Sequence, residues 1–178
     1  MPNDSDYEQA CREYEKGNYL VAYEKFYALA VEHDVSCQMN VANMLLHGIG
    51  TAQNREKAYE WYKQAAYNDD PQAQYLYAWH CIENKNEEEG LKYLTLSSEA
   101  GYGDAIYDMA GCYYHGAYTC EKDGDKALSL YELAALKGNI DALRELVNVK
   151  AQKDGKITTY LYLLKNIFKF AKSFKPGK

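Results

Sequence analysis

Apolar residues recur along this chain with the period of amphipathic helices. Val41 and Leu45 are four residues apart, as are Met109 and Tyr113, and each pair is flanked by small or polar residues. This spacing places apolar side chains on one face of a helix. No segment alternates apolar and polar residues for long enough to predict a strand. The pattern therefore predicts an all-α chain.

The helical pattern also repeats. A first helix rich in small residues ends in His-Gly and is followed by a polar loop, a Lys-Ala step and a paired Ala-Ala. This order occurs after Cys37 and again after Ala105. Between them, the segment from Ala73 has the same order with a shortened loop. Four equivalent positions, Cys37, Ala73, Ala105 and Ala142, lie 36, 32 and 37 residues apart, a period typical of stacked helix pairs.

The repeat predicts about five helix pairs in one domain over residues 1–178. Gly48 and Gly116 lie where a first helix should end, because glycine tolerates the left-handed backbone of a helix C-terminus. A further break is expected near 153–155. The terminal pairs depart from the pattern, as capping repeats do. The predicted units are residues 5–34, 35–70, 71–103, 104–139 and 140–174.

These units resemble Sel1-like repeats, which are relatives of tetratricopeptide repeats. The family pattern is Ala-x3-Leu-Gly-x2-Tyr-x2-Gly-x-Gly, then Lys-Ala-x2-Trp-Tyr-x2-Ala-Ala-x2-Gly. It matches residues 37–69 and 105–138, with Val41-Ala42 in place of Leu-Gly, whereas residues 71–103 lack the Gly-x-Gly loop. The resemblance implies a right-handed α/α superhelical solenoid and a scaffold that binds proteins. It carries little information about the specific function.

The charge distribution changes the expected partner. The chain has 26 acidic and 20 basic residues, a net charge of −6, which disfavours nucleic-acid binding. Residues 1–149 have a net charge of −13 and residues 150–178 a net charge of +7. Complementary charge steers association, so the acidic body predicts a basic protein partner.

Residues capable of catalysis or metal binding do not form a recognisable motif. The Cys and His pairs near positions 80 and 112 lie in different repeats without a Cys-x2-Cys motif. No nucleophile elbow, phosphate loop or His-Glu-x2-His is present. We expect no enzyme activity, metal or cofactor, and buried reduced thiols. No signal peptide or long apolar run is apparent, so we expect a cytoplasmic protein.

The 19 Tyr residues divide into core and surface positions. Five aromatic residues occupy positions that should pack between helices: Trp61, Tyr62, Tyr93, Tyr113 and Tyr131. If the tetratricopeptide register applies, first-helix positions line the concave face, where Trp and Tyr favour partner binding. For Trp79, the alternative is burial caused by the shortened loop. The candidate partner-binding residues are Met39, Asn43, His47, Tyr75, Trp79, Tyr107, Tyr114, His115 and Arg144.

The last predicted helix, residues 157–174, has more apolar surface than a terminal helix needs. Its apolar residues fill an arc of about 180°, whereas covering one neighbour takes about 100°. We expect the helix to cap the repeats and to form a weak homodimer around Leu163, Phe170 and Phe174. A membrane-surface role ranks below both, because the acidic body would be repelled by anionic lipid.

Two functions fit these observations. The first is an adaptor that docks a segment of another protein on the concave face. The alternative is an immunity or inhibitor protein that blocks the active site of a bacterial toxin or effector. Small acidic repeat proteins resemble both classes, so the sequence leaves the choice open.

Overall fold

The computed structural model describes residues 4–173, and this range contains ten α-helices and no strand. Most connections between helices have three residues; those at 48–54 and 116–123 are longer, and α9 and α10 are joined at Gly155. The predicted all-α chain of about five helix pairs is confirmed. The helices are α1 Asp4–Glu15, α2 Tyr19–Val31, α3 Val35–His47, α4 Arg55–Tyr67, α5 Pro71–Glu83, α6 Glu87–Glu99, α7 Gly103–His115, α8 Gly124–Leu136, α9 Ile140–Asp154 and α10 Lys156–Ala171.

The chain divides into two compact units. Residues 1–83 form the first unit, which contains α1–α5, and residues 84–178 form the second, which contains α6–α10. Within each unit, consecutive helices pack side by side, and the short connections make neighbours antiparallel. The unit boundary falls between α5 and α6.

Short polar side chains fix where the helices begin. Before α3, the Asp34 carboxylate accepts a hydrogen bond from the Cys37 amide at 2.8 Å, and Asn54, Asn86, Asp123 and Asn139 cap α4, α6, α8 and α9 in the same way. Each cap satisfies an amide that has no partner within the helix. These caps define the first residues of α3, α4, α6, α8 and α9.

The core of the first unit is built from alanines and one tyrosine. Ala42, Ala58 and Ala65 are fully buried, which lets α3 and α4 approach closely, and Tyr62 is 1% exposed between them. Trp61 was predicted in the core, and this is wrong. Its ring is half-buried and packs edge-on against Tyr27 of α2, with ring centroids 5.6 Å apart. Position 61 lies beside the buried face of α4, which carries Ala58, Tyr62 and Ala65.

The core of the second unit extends into the last helix. Ile106, Tyr131 and Leu146 form its centre, and Phe170 of α10 joins them at 4% exposure. Lys169 of α10 also pairs with Glu132 of α8 at 2.9 Å. Thus α10 caps α8 and α9, as expected for a terminal helix.

The predicted dimer surface on the last helix needs correction. Phe170 was expected to meet a second copy, but it is buried within its own chain, and Leu163 is half-buried. Phe174 lies outside the described residues. The exposed apolar side chains of α10 lie on a neighbouring face instead, because the side of the helix that carries Phe170 is the one that packs on α9.

Three of the five cysteines are core residues. Cys37, Cys81 and Cys112 are buried, and Cys11 and Cys120 are half-buried. Burial raises the pKa of Cys112 to about 12, so its thiol stays protonated at neutral pH. Between residues 4 and 173, no helix is long and apolar enough to cross a membrane.

Candidate functional site

The predicted partner-binding residues divide between the two units. Met39, Asn43 and His47 lie on α3, and Tyr75 and Trp79 on α5, in the first unit. The second unit contains Tyr107, Tyr114 and His115 on α7, and Arg144 on α9. Each group is therefore a separate candidate surface.

In the first unit, the predicted residues differ in how much surface they offer. Met39 is buried, and the Asn43 amide oxygen accepts a hydrogen bond from the Tyr62 hydroxyl at 2.7 Å. His47 is exposed in the last turn of α3, and Tyr75 and Trp79 are half-buried. Trp79 thus lies between the two predicted alternatives, a core position and a fully exposed contact.

In the second unit, the four predicted residues lie on two helices, α7 and α9. Tyr107 and Tyr114 are two turns apart on α7 and half-buried. The Tyr114 hydroxyl donates to Gln152 of α9 at 3.0 Å, and the His115 ring packs edge-on against Tyr114 with centroids 4.9 Å apart. Arg144 of α9 is exposed and pairs with Asp141 at 2.8 Å. These contacts hold the tyrosine rings in place.

Carboxylates surround Tyr107. Burial raises the pKa of Tyr107, and the negative charges of Glu145, Asp141 and Asp108 raise it further, whereas Arg144 opposes this. The hydroxyl is therefore neutral at physiological pH. We call the surface formed by Tyr107, Tyr114, Asp108, Asp141 and Glu145 the α7/α9 face. It combines aromatic rings with three carboxylates, one of which, Asp141, is paired with Arg144.

A cleft lies in the first unit, where the sequence predicted no site. This cleft of about 690 Å³ opens over α2, α3 and α4, and Tyr23, Tyr27, Val31 and Trp61 contribute to its walls. We call it the α2/α4 cleft. Trp61 could have indicated this cleft from the sequence. Because it fits the repeat pattern, it was interpreted as a core residue.

A further cluster of titratable side chains lies on α4 and α5. Within residues 4–173, no group of three or more His, Cys, Asp or Glu side chains could hold a metal ion. The stacked rings of Tyr59 and His80, 3.9 Å apart, pack on the same helices as the Arg55–Glu83 ion pair. Burial lowers the pKa of His80, with Glu83 opposing that shift and Arg55 adding to it, so the ring is neutral at physiological pH.

Comparison with known families identifies the repeat. The Sel1 repeat family matches residues 35–70, 71–102 and 103–139, which together are more than half of the chain. The chain therefore belongs to the Sel1 repeat family. The match includes the degenerate third repeat with its short loop. No curated protein matches the sequence.

Several solved structures of other proteins have the same fold as this chain. A Sel1 repeat protein from Oxalobacter formigenes is 20% identical, with a TM-score of 0.77 over 97% of this chain and 73% of that one. A protective antigen of uropathogenic Escherichia coli is 23% identical, with a TM-score of 0.73 over 85% of this chain; the chain spans only 34% of that protein. The MamA protein is 17% identical, with a TM-score of 0.55 over 98% of this chain and 96% of that one. These likenesses show the α/α solenoid fold.

Proposed function

From its membership of the Sel1 repeat family, we propose that this protein is a non-catalytic scaffold whose α7/α9 face binds a basic segment of another protein. Sel1 repeats generally form scaffolds for protein–protein interaction. The observation that carries the finer proposal is the set of carboxylates around the half-buried Tyr107. Lysine and arginine side chains are attracted both by carboxylates and by the faces of tyrosine rings.

The preorganisation of the two tyrosines supports this proposal. Tyr107 packs on Tyr131 with ring centroids 5.8 Å apart, and Tyr114 is tethered to Gln152. Side chains already held in one conformation lose little entropy when a partner binds. The α7/α9 face can therefore contribute aromatic contact area at low cost, as the central residues of protein interfaces do.

In the first unit, we propose His47, Tyr75 and Trp79 as additional contacts, because each presents accessible side-chain surface. Met39 is buried and Asn43 is engaged by Tyr62, so their contribution would be to hold α3 in place. The α2/α4 cleft is the competing surface for a partner with an apolar side chain.

Site-specific photo-crosslinking tests the proposal. A photoreactive phenylalanine analogue replaces Tyr107, Trp61 or Leu20 in the full chain, and captured proteins are identified by mass spectrometry in the source cells. We expect position 107 to capture a protein with a basic segment that the Leu20 control does not capture. Capture from position 61 alone would assign the partner to the α2/α4 cleft and reject the α7/α9 face.

The identified partner then allows a quantitative test. Tyr107→Ala should weaken binding about 30-fold, which corresponds to about 2 kcal/mol, whereas Tyr107→Phe should bind within about threefold of wild type. The affinity should fall as salt rises, because the charge contribution is screened. If the captured protein is a toxin or effector enzyme whose activity the complex abolishes, the scaffold acts as an inhibitor rather than an adaptor.

A further inference from the structure

The last helix carries an apolar stripe that stays exposed among the described residues 4–173. Ile157 and Phe168 are 79% and 81% exposed, and Leu161 is 60% exposed. Tyr160, Leu164 and Ile167 are also exposed. These six side chains occupy an arc of about 120° at 100° per residue. Phe170, Thr159 and Asn166 lie outside that arc, on the side that faces α8 and α9.

The spacing along the stripe is that of a helix–helix seam. Ile157, Leu161, Leu164 and Phe168 follow one another at intervals of four, three and four residues. This is the interval at which apolar side chains of paired helices interlock. A helix lying on a membrane instead has a wide apolar face that carries Trp, Phe or Leu, whereas this stripe is only about 120° wide and the chain has no Trp after residue 79.

The size of the stripe matches one half of an ordinary interface. With about 200 Å² for each large side chain, the exposed fractions correspond to roughly 770 Å² of surface. Two copies could bury up to roughly 1,500 Å² from these side chains, which lies within the usual range of stable protein interfaces. A monomer rarely leaves a patch of this size uncovered.

The residues beside the stripe decide how two copies would pair. Tyr160 and Ile167 lie along one edge, and Lys165 and Lys172 along the other. In a two-fold antiparallel pair each edge meets the same edge of the partner. Tyr160 therefore meets the partner's Ile167. In a parallel pair the apolar edge would instead meet the lysine edge. The antiparallel arrangement therefore buries more apolar surface.

We propose that α10 forms an antiparallel homodimer through this stripe, with Leu161 opposite the partner's Leu164. In this register, Lys165 lies beside the partner's Thr158, and Lys165 does not approach the partner's Lys165. The lysine stems cover the rim of the seam while their ammonium groups stay in water. This surface is separate from the α7/α9 face, because α10 packs on α8 and α9 through the side that carries Phe170.

Sedimentation of the full chain over a range of concentrations tests the proposal. We expect a reversible monomer–dimer equilibrium. Leu161→Glu should raise the dissociation constant at least about tenfold, because it would bury a carboxylate in the seam. The matched control is Leu20→Glu, since Leu20 of α2 is also a leucine and is 61% exposed; it should leave the dissociation constant unchanged. Both sites are exposed, so both variants should fold, as circular dichroism would verify.

A second variant tests the register. Thr158→Glu places a carboxylate beside the partner's Lys165 at two symmetric positions. It should tighten the dimer about twofold to tenfold at low salt, an effect that disappears at high salt. No tightening would overturn the antiparallel register.

The proposal as a whole fails in either of two cases. The full chain remains monomeric at the highest concentration, or Leu161→Glu and Leu20→Glu have equal effects. Flotation with vesicles containing phosphatidylserine tests whether a lipid surface covers the stripe instead. If wild type floats and Leu161→Glu does not, the occupant of the stripe is a lipid surface and the dimer is rejected.

Discussion

The second repeat, formed by α3 and α4, and the fourth, formed by α7 and α8, have the same backbone connections. In the second, the Asn54 amide donates to the Leu45 carbonyl at 2.8 Å; in the fourth, the Asp123 amide donates to the Tyr113 carbonyl at 2.9 Å. Both first helices end at a glycine with φ of 69°. Two loops of different length are thus anchored at equivalent points.

The side chains at equivalent positions differ much more. Asn43 of α3 accepts a hydrogen bond from Tyr62, but Gly111 occupies the same position of α7 and leaves only space beside the Tyr131 hydroxyl. Gln38 of α3 is buried and donates to the Ala30 carbonyl at 3.3 Å, whereas its equivalent in α7 is the apolar Ile106. The repeat pattern therefore specifies caps, turns and small residues, and leaves the chemistry of each helix face to individual residues.

The largest expected effect separates two adjacent aromatic positions of α4. Tyr62 is buried and hydrogen-bonded, so Tyr62→Ala should lower the free energy of unfolding by about 3–5 kcal/mol. Trp61 is half-buried, so Trp61→Ala should cost only about 1–2 kcal/mol. Urea denaturation followed by circular dichroism measures both. Equal losses would show that Trp61 contributes as a core residue.

Tyr131 extends this test to the fourth repeat. It occupies the position equivalent to Tyr62 and is 3% exposed. Tyr131→Ala should therefore also cost about 3–5 kcal/mol. A much smaller loss would mean that the two repeats are stabilised differently despite their common backbone.

The sequence predicted the backbone well because its signals are local. Gly48 and Gly116 end helices because of their own φ, and the break before α10 falls at Gly155, as expected. Partial burial was harder to predict. Trp61 fits the family pattern as well as Tyr62 does, yet it packs against Tyr27 of α2 at the wall of the α2/α4 cleft and stays half-buried. Likewise, the periodicity of α10 predicted the full width of its apolar arc. It could not predict which part of that arc packs on α9, which is the part that carries Phe170.

Two separate features require a glycine at position 50: its positive φ and the close approach of the α2 backbone. Gly50 has φ of 70°, and an added Cβ would overlap the Tyr19 carbonyl and lie 2.9 Å from the Leu20 amide nitrogen. Gly116 has nearly the same φ of 69°, but its nearest neighbour would be Lys122 Cβ at 3.4 Å. The left-handed backbone costs an alanine about 1–2 kcal/mol at either position. The overlap therefore affects Gly50 alone.

Gly50→Ala should consequently lower the free energy of unfolding by about 2–4 kcal/mol, against about 1–2 kcal/mol for Gly116→Ala. Tryptophan fluorescence during urea denaturation follows the first unit, since both Trp61 and Trp79 belong to it. Circular dichroism follows the whole chain. If the two substitutions cost the same, the close approach of the 48–54 loop to α2 is not a constraint on the second repeat.

The smallest expected effect has opposite signs in the two repeats. Asn43→Ala removes the acceptor of the Tyr62 hydroxyl, which should cost about 1 kcal/mol. Gly111→Ala should instead stabilise the protein by about 0.5–1 kcal/mol, because alanine restricts the unfolded chain and favours the helix. Its Cβ would meet the Tyr131 hydroxyl at 3.8 Å, an ordinary contact. Chemical denaturation of both variants gives the signs directly. A loss at Gly111 would indicate that the space beside Tyr131 is needed in the fourth repeat, and would make the two helix faces more alike than their side chains suggest.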